Sequence, residues 1–182
     1  MIGYLVLLIA VGLERLAELV VSKRNLRWSL ERGGRELAPG HYPAMVALHT
    51  LLLIGCGVEV FVADRPFVPA LGWTALAVVA ASQALRWWCI STLGHQWNTR
   101  IVVTPGLSLV RSGPYRLLRH PNYLAVVVEG LALPLVHTAW LTAAIFTVCN
   151  AVLLRVRIQA ENAALATLST AGSTMNPTAG SA

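Results

Sequence analysis

Long runs of aliphatic residues, each closed by a short polar or basic segment, set the rhythm of this chain. They lie at Met1 to Val21, His41 to Ala63, Val68 to Ile90, and Pro121 to Val136 followed closely by Thr138 to Leu154. Such runs are too apolar and too long for an ordinary soluble domain. At about 1.5 Å per residue the first is long enough to cross a hydrocarbon core of roughly 30 Å. The pattern predicts an all-α fold, a polytopic integral-membrane helical bundle with about five transmembrane helices. The last two runs are shorter and tightly joined, as a helical hairpin would be.

Met1 to Val21 lacks the positive start of a signal peptide and is interrupted by Glu14, Arg15 and Glu18, so it reads as a retained span. Residues 1–166 form a single transmembrane domain with no linker to divide it. The tail, 167–182, is Ala, Thr, Ser and Gly without a periodic apolar face and is expected to be disordered.

Composition supports the membrane reading: of 182 residues, 56% are hydrophobic and 12% charged. The net charge of +6 comes from basic residues bordering the apolar runs, where they set topology or meet anionic lipid head groups. Nucleic acid is therefore discarded as a partner in favour of membrane lipids. Cys56, Cys89 and Cys149 sit inside apolar runs without metal-ligand spacing and read as small buried hydrophobes; no metal site is expected.

Ser22 to Gly40 carries Lys23, Arg24, Arg27, Arg32 and Arg35, and Gly94 to His120 carries Arg100, Arg111, Arg116 and Arg119. Both segments are expected to face the cytoplasm, with the end of the last span at Arg155 and Arg157 on the same side. Every basic cluster then converges on one membrane face.

Most groups capable of chemistry lie between Ser112 and Leu124. Gly113-Pro114 breaks any preceding element, and Tyr115 to Arg119 suits one interfacial helical turn. Pro121 suits the first helical position, so the next span begins at His120-Pro121 with free backbone N–H groups able to receive a carboxylate or phosphate. From pattern alone, a basic interfacial anchor with a helix cap explains the stretch equally well.

This stretch resembles the signature of the isoprenylcysteine carboxyl methyltransferase family, small integral-membrane enzymes that use S-adenosylmethionine. The likeness covers about Gly94 to Leu165 and rests on two elements: Gly113-Pro114-Tyr115 with Arg119-His120-Pro121-Asn122-Tyr123, and LLRVRIQAENAAL from Leu153 to Leu165. The resemblance implies cofactor-binding roles for Gly113, Tyr115, Arg119, His120, Pro121, Asn122, Tyr123 and Glu161, and puts Arg157 at the cofactor too, where it is a candidate catalytic residue. The Glu161 carboxylate would pair with the methionyl amino group. Arg157 and Glu161 are one helical turn apart and can also pair with each other as a surface ion pair. Glu161-Asn162 stands where many relatives carry two adjacent acids, and Ala125 where many carry Gly. The N-terminal half, through ERLAELVVSKRNLRW (Glu14 to Trp28) and QWNTRIVVTPG (Gln96 to Gly106), is similar to a bacterial branch that O-methylates alkylpyrone and phenolic lipids.

The implied activity is an S-adenosylmethionine-dependent O-methyltransferase of a bacterial cell membrane, its active site facing the cytoplasm. Its acceptor is a lipophilic small molecule, either a phenolic or alkylpyrone lipid or an isoprenylcysteine-type carboxylate. Because a methyl sulfonium is already a strong electrophile, the protein mainly aligns sulfur, methyl and oxygen and excludes water. Tyr115, Tyr123 or Trp97 can lie against the sulfonium, and His120 can bond the cofactor, orient Tyr115, act as base or cap the helix. Glu129, two turns inside the fourth span and on nearly the same face as Asn122, is a candidate catalytic base for a hydroxyl acceptor. A structural pair of Glu129 with Arg15 or His49 is the equal alternative. Glu14 and Glu18 are expected to tie the first helix to Arg86 or His49. Two other functions remain open: an NADPH-dependent sterol-type reductase, which shares the Arg-His-Pro-Asn-Tyr run, and a non-catalytic lipid-binding protein.

Overall fold

The computed structural model describes residues 1–37, 40, 42–108 and 110–174, with side chains to residue 163. Five helices follow in chain order: α1 (Ile2–Leu30), α2 (Tyr42–Val62), α3 (Pro69–Leu93), α4 (Pro121–Leu135) and α5 (Trp140–Thr174). Two three-residue strands, β1 (Arg35–Leu37) and β2 (Ile101–Val103), pair antiparallel with Glu36 opposite Val102. The apolar runs of the sequence have become the helices, and the molecule is an all-α membrane bundle.

By length and composition, α2, α3 and α5 are each able to cross a membrane. The other two differ. The 15 residues of α4 extend only about 22 Å, short of a hydrocarbon core of about 30 Å. Helix α1 carries Glu14, Arg15 and Glu18 through its middle, and buries Glu18 rather than exposing it.

Two boundaries depart from the sequence expectation. Helix α1 continues well past Val21 to Leu30, because its buried face changes from Tyr4, Leu8 and Val11 to Ser22, Asn25 and Ser29. The Ser22 and Asn25 side chains dock on residues 94–99, so the helix gains partners after its apolar run ends. It stops where Gly33 adopts a positive φ of 76° and Gly34 donates back to the Ser29 carbonyl at 2.9 Å. At the other end of the chain, α5 carries on as helix through residues 167–174, where disorder was expected. Residues 175–182 lie outside the described residues.

The apolar core occupies the end of the bundle away from the basic segments. Tyr4, Leu52, Cys56, Val79, Leu133 and Phe146 meet there, and the Tyr4 hydroxyl donates to the Leu133 carbonyl at 3.0 Å. At the same end, Glu59 of α2 accepts from the first N–H groups of α5, Leu141 at 3.1 Å and Thr142 at 2.7 Å. A carboxylate at a helix start satisfies orphan donors and the local dipole together. This contact fixes the start of α5, and thereby the position of Arg157 and Glu161 along it.

Candidate active site

Opposite that core, segment 94–120 is folded against the ends of α1, α3, α4 and α5. Asn25 donates through Nδ2 to the carbonyls of Gly94 (3.1 Å) and Trp97 (2.7 Å), and Ser22 Oγ donates to Asn98 Oδ1 at 2.7 Å. Trp97 is thereby held almost wholly buried. Arg100, just before β2, pairs with Glu36 of β1 at 2.7 Å and stacks its guanidinium over the Tyr42 ring, 4.1 Å from the centroid. Ser22, Asn25 and Glu36 were not singled out from sequence, since nothing local in it marks what they touch.

Gly113 to Arg116 forms a single 3-10 turn. Gly113 has a positive φ of 54°, and a Cβ there would lie 2.6 Å from Thr92 Oγ1 on α3. The glycine therefore lets the turn approach α3 closely, and this sets Tyr115 beside Cys89. Burial pushes the Tyr115 phenol well above its ordinary range, and the neighbouring Cys89 adds to it, so Tyr115 is a neutral hydroxyl at physiological pH. Pro121 then opens α4 with His120 as its N-cap; the His120 side chain makes no capping bond, which leaves the imidazole free to face the site.

The side chains so placed form a chain of contacts. Glu161 accepts a hydrogen bond from the Tyr123 hydroxyl, and the Tyr123 hydroxyl oxygen accepts from Arg157 Nε at 2.9 Å. His120 stacks on Tyr123 with ring centroids 5.2 Å apart, and its Nδ1 is 3.8 Å from Glu161 Oε1. Arg119 donates to Asn162 Oδ1 at 2.9 Å, bracing the start of α4 against α5. Arg157 and Glu161, which might have paired as neighbours on a helix, both engage Tyr123 instead.

These groups border a cavity of about 780 Å³. Of the residues expected in the site, Tyr115, Arg119, His120, Asn122, Tyr123, Arg157 and Glu161 line it, while Gly113 and Pro121 shape the backbone that carries them. A second cavity of about 510 Å³ lies between α1, α2 and α5, mostly apolar and rimmed by exposed Ile9, Leu13, Leu16 and Ile54. Trp97, Asn122, Tyr123 and Arg157 belong to both walls, so the polar cavity and the apolar groove meet at those four side chains. Both volumes fall within the usual range for small-molecule sites.

Glu129 is placed elsewhere. It lines neither cavity, and Arg15 Nη2 donates to both its oxygens at 2.8 and 3.1 Å. The structure therefore shows the Arg15 pair that the sequence offered as one alternative for Glu129, and the role of Glu129 as base stays an expectation. Glu14 and Glu18 join the same network, Glu18 holding Arg86 and Arg15, and Glu14 bonded by Gln83. Among the described residues no cluster of metal ligands occurs.

Within the helical membrane bundle, a cavity lined by charged and polar side chains thus abuts an apolar groove. The chain belongs to the isoprenylcysteine carboxyl methyltransferase family, whose model matches residues 74–167, and it is accordingly a membrane methyltransferase. It is similar to the uncharacterized protein YpbQ of Bacillus subtilis (strain 168), 40% identical over 161 residues that cover 87% of this chain and 95% of that one. An uncharacterized protein of Haemophilus influenzae is 31% identical over 94 residues, 51% of this chain and 55% of its own. The matched family region begins in α3 and holds both parts of the Tyr123, Arg157 and Glu161 constellation.

Proposed function

We propose that the protein transfers a methyl group from S-adenosylmethionine to an oxygen of a lipophilic acceptor, at the cytoplasmic face of a bacterial cell membrane. The observation that carries this reading is the shared wall: one cavity lined by charged and polar side chains with a carboxylate, the other apolar and open among exposed aliphatic side chains, meeting at Trp97, Asn122, Tyr123 and Arg157.

The polar cavity suits the donor. Its volume accommodates a nucleoside joined to an amino acid, Glu161 supplies a carboxylate for a methionyl amino group, and the Tyr115 and Tyr123 faces suit a cationic sulfonium. Asn122 Oδ1 is buried without a hydrogen-bond partner, an acceptor that a bound N–H or O–H would satisfy. When bound, S-adenosylmethionine supplies an electrophilic methyl carbon on a good leaving group. The chain's own residues then hold the donor in place, exclude water and present the acceptor oxygen in line.

The groove suits the acceptor. Its apolar rim on α1 and α2 lets a lipid chain enter from the bilayer, with its oxygen-bearing end at Tyr123 and Arg157. Arg157 is buried, donates through Nε to the Tyr123 hydroxyl, and directs Nη1 toward Met45 on the groove side. A guanidinium here stabilises negative charge on the attacking oxygen, for a phenolic or enolic hydroxyl or for a carboxylate. With Glu129 engaged by Arg15, a hydroxyl acceptor enters as its ionised fraction, favoured by Arg157, rather than by transfer to Glu129. The proton leaves to solvent and S-adenosylhomocysteine is the second product.

The test uses the purified protein in lipid nanodiscs with methyl-labelled S-adenosylmethionine and lipid extracts from cells lacking the gene. Label should appear in a chloroform-soluble product heavier by one methylene. Retention of NADPH in place of S-adenosylmethionine, with no labelled lipid, would overturn the reading.

A further inference from the structure

His49, on α2, borders the groove between α1, α2 and α5. Its Nδ1 lies 2.8 Å from the Met45 carbonyl oxygen, one turn back along the same helix. A carbonyl only accepts, so Nδ1 carries the hydrogen, and in the neutral imidazole Nε2 is left with a bare lone pair. Among the described residues Nε2 has no hydrogen-bond partner, and it is not one of the buried unpartnered atoms, so its surface is open. The ring is also held in place, since it meets Phe146 of α5 edge-on with centroids 5.5 Å apart. The bond to Met45 accounts for one nitrogen. Nothing among the described residues uses the other.

The neighbourhood puts this nitrogen close to the shared wall. Met45, whose carbonyl holds the ring, receives Arg157 Nη1 on its sulfur at 2.6 Å, so His49 stands one turn, about 6 Å along α2, from that contact. Asn150 of α5 is 3% exposed, has no hydrogen-bond partner among the described residues, and borders the groove seven residues before Arg157, on nearly the same helical face. The charged groups packed nearby are engaged with one another: Glu18 of α1 binds Arg15 and Arg86 of α3, and Glu129 of α4 binds Arg15. His49 is therefore the basic group on the groove wall with an open lone pair.

We propose that His49 is a catalytic base, its Nε2 taking the proton of a hydroxyl-bearing acceptor as the oxygen attacks the methyl carbon. The inference rests on the groove being the acceptor's site, and it assigns where the proton goes before it reaches solvent. The O–H bond breaks toward Nε2, an oxygen electron pair forms the O–CH3 bond, and the pair of the S–CH3 bond goes to sulfur. The products are a methyl ether, S-adenosylhomocysteine and an imidazolium that returns its proton to solvent. A phenol of pKa about 10 is ionised to only about one part in 10³ at neutral pH, so a base that titrates near neutrality is matched to the task. A carboxylate acceptor gains nothing from it.

The test measures single-turnover methyl transfer by the full chain in nanodiscs to two probes, meta-pentadecylphenol and its para-nitro derivative, whose hydroxyl is largely ionised at about pH 8. In the native protein the phenol rate should level off above neutrality. His49→Gln, which cannot take the proton, should slow the phenol by about 10²-fold or more, with a loss at least about 10-fold smaller on the nitrophenol and S-adenosylhomocysteine affinity retained. His49→Phe keeps the contact with Phe146 and gives a second variant should the first not fold. A native phenol rate that climbs about tenfold per pH unit toward the phenol's own pKa would overturn the proposal without any variant. Equal losses on the two probes, or a native phenol rate in either folded variant, would overturn it as well. Transfer to neither probe by the native protein would also overturn it, and label in the lipid extract would then leave the methyltransferase reading standing.

Discussion

Tyr123 is the residue on which the site turns. Its hydroxyl donates to Glu161 and accepts from Arg157 Nε at 2.9 Å, so it ties the group suited to the donor to the group suited to the acceptor. Glu161→Gln should weaken S-adenosylhomocysteine binding by about 1.5–3 kcal/mol, the range for a charge-assisted contact, without unfolding the bundle; calorimetric titration checks this. Arg157→Lys keeps a positive charge but loses the planar fork, and should lower kcat roughly 10²-fold while changing donor affinity little, read from steady-state rates against bound nucleotide. Glu129→Gln should behave differently from both. It leaves Arg15 facing a weaker acceptor, so it should lower thermal stability by about 1–3 kcal/mol, with the acid limb of the pH–rate profile unmoved. The sequence indicated that Glu129 was deep and shared a face with Asn122, which is correct as geometry on one helix. Helical periodicity says nothing about which neighbouring helix supplies Arg15.

Among the elements, the hairpin of α4 and α5 carries the most. A Cβ added at Gly130 would lie 1.9 Å from Phe146 Cε1, so the Phe146 ring of α5 packs into the space that Gly130 leaves on α4. Gly130→Ala should pry them apart, lowering the unfolding midpoint in a thermal scan and weakening donor binding as well, because Tyr123 sits on one helix and Glu161 on the other. Helix extents were legible because apolar runs and Pro-Gly breaks are local signals: α2, α3, α4 and α5 begin within a few residues of the runs that announced them. The extension of α1 to Leu30 was not legible, since Ser22, Asn25 and Ser29 look like loop residues until residues 94–99 are seen to bind two of them. The β1–β2 pair was missed for a related reason. Three-residue strands carry too little alternation to read, and their partners are far apart in sequence.

At the scale of the whole molecule, the sequence and the structure agree on convergence: the end of α1, segment 94–120 and the end of α5 meet at one end of the bundle, and the Glu59 contact with α5 lies at the other. In the proposed reading, that polarity of the bundle puts the donor cavity in reach of a water-soluble nucleotide and the groove in reach of lipid. Under the proposed function the basic end faces the cytoplasm, the side on which Lys and Arg flanking apolar spans are commonly retained. Cysteine labelling tests this directly in a Cys149→Ser background, as Cys56 and Cys89 are buried. Leu30→Cys and Ser108→Cys occupy exposed positions at the basic end, and Ala63→Cys an exposed position at the opposite end. In intact cells, a membrane-impermeant maleimide should label position 63 alone, and positions 30 and 108 only after the membrane is opened. If 30 and 108 respond from different sides, the two basic segments cannot share a site, and the donor cavity as described does not exist in the membrane. If all three invert together, the cavity stands but faces away from the cytoplasmic nucleotide pool, and the proposed reaction loses its donor.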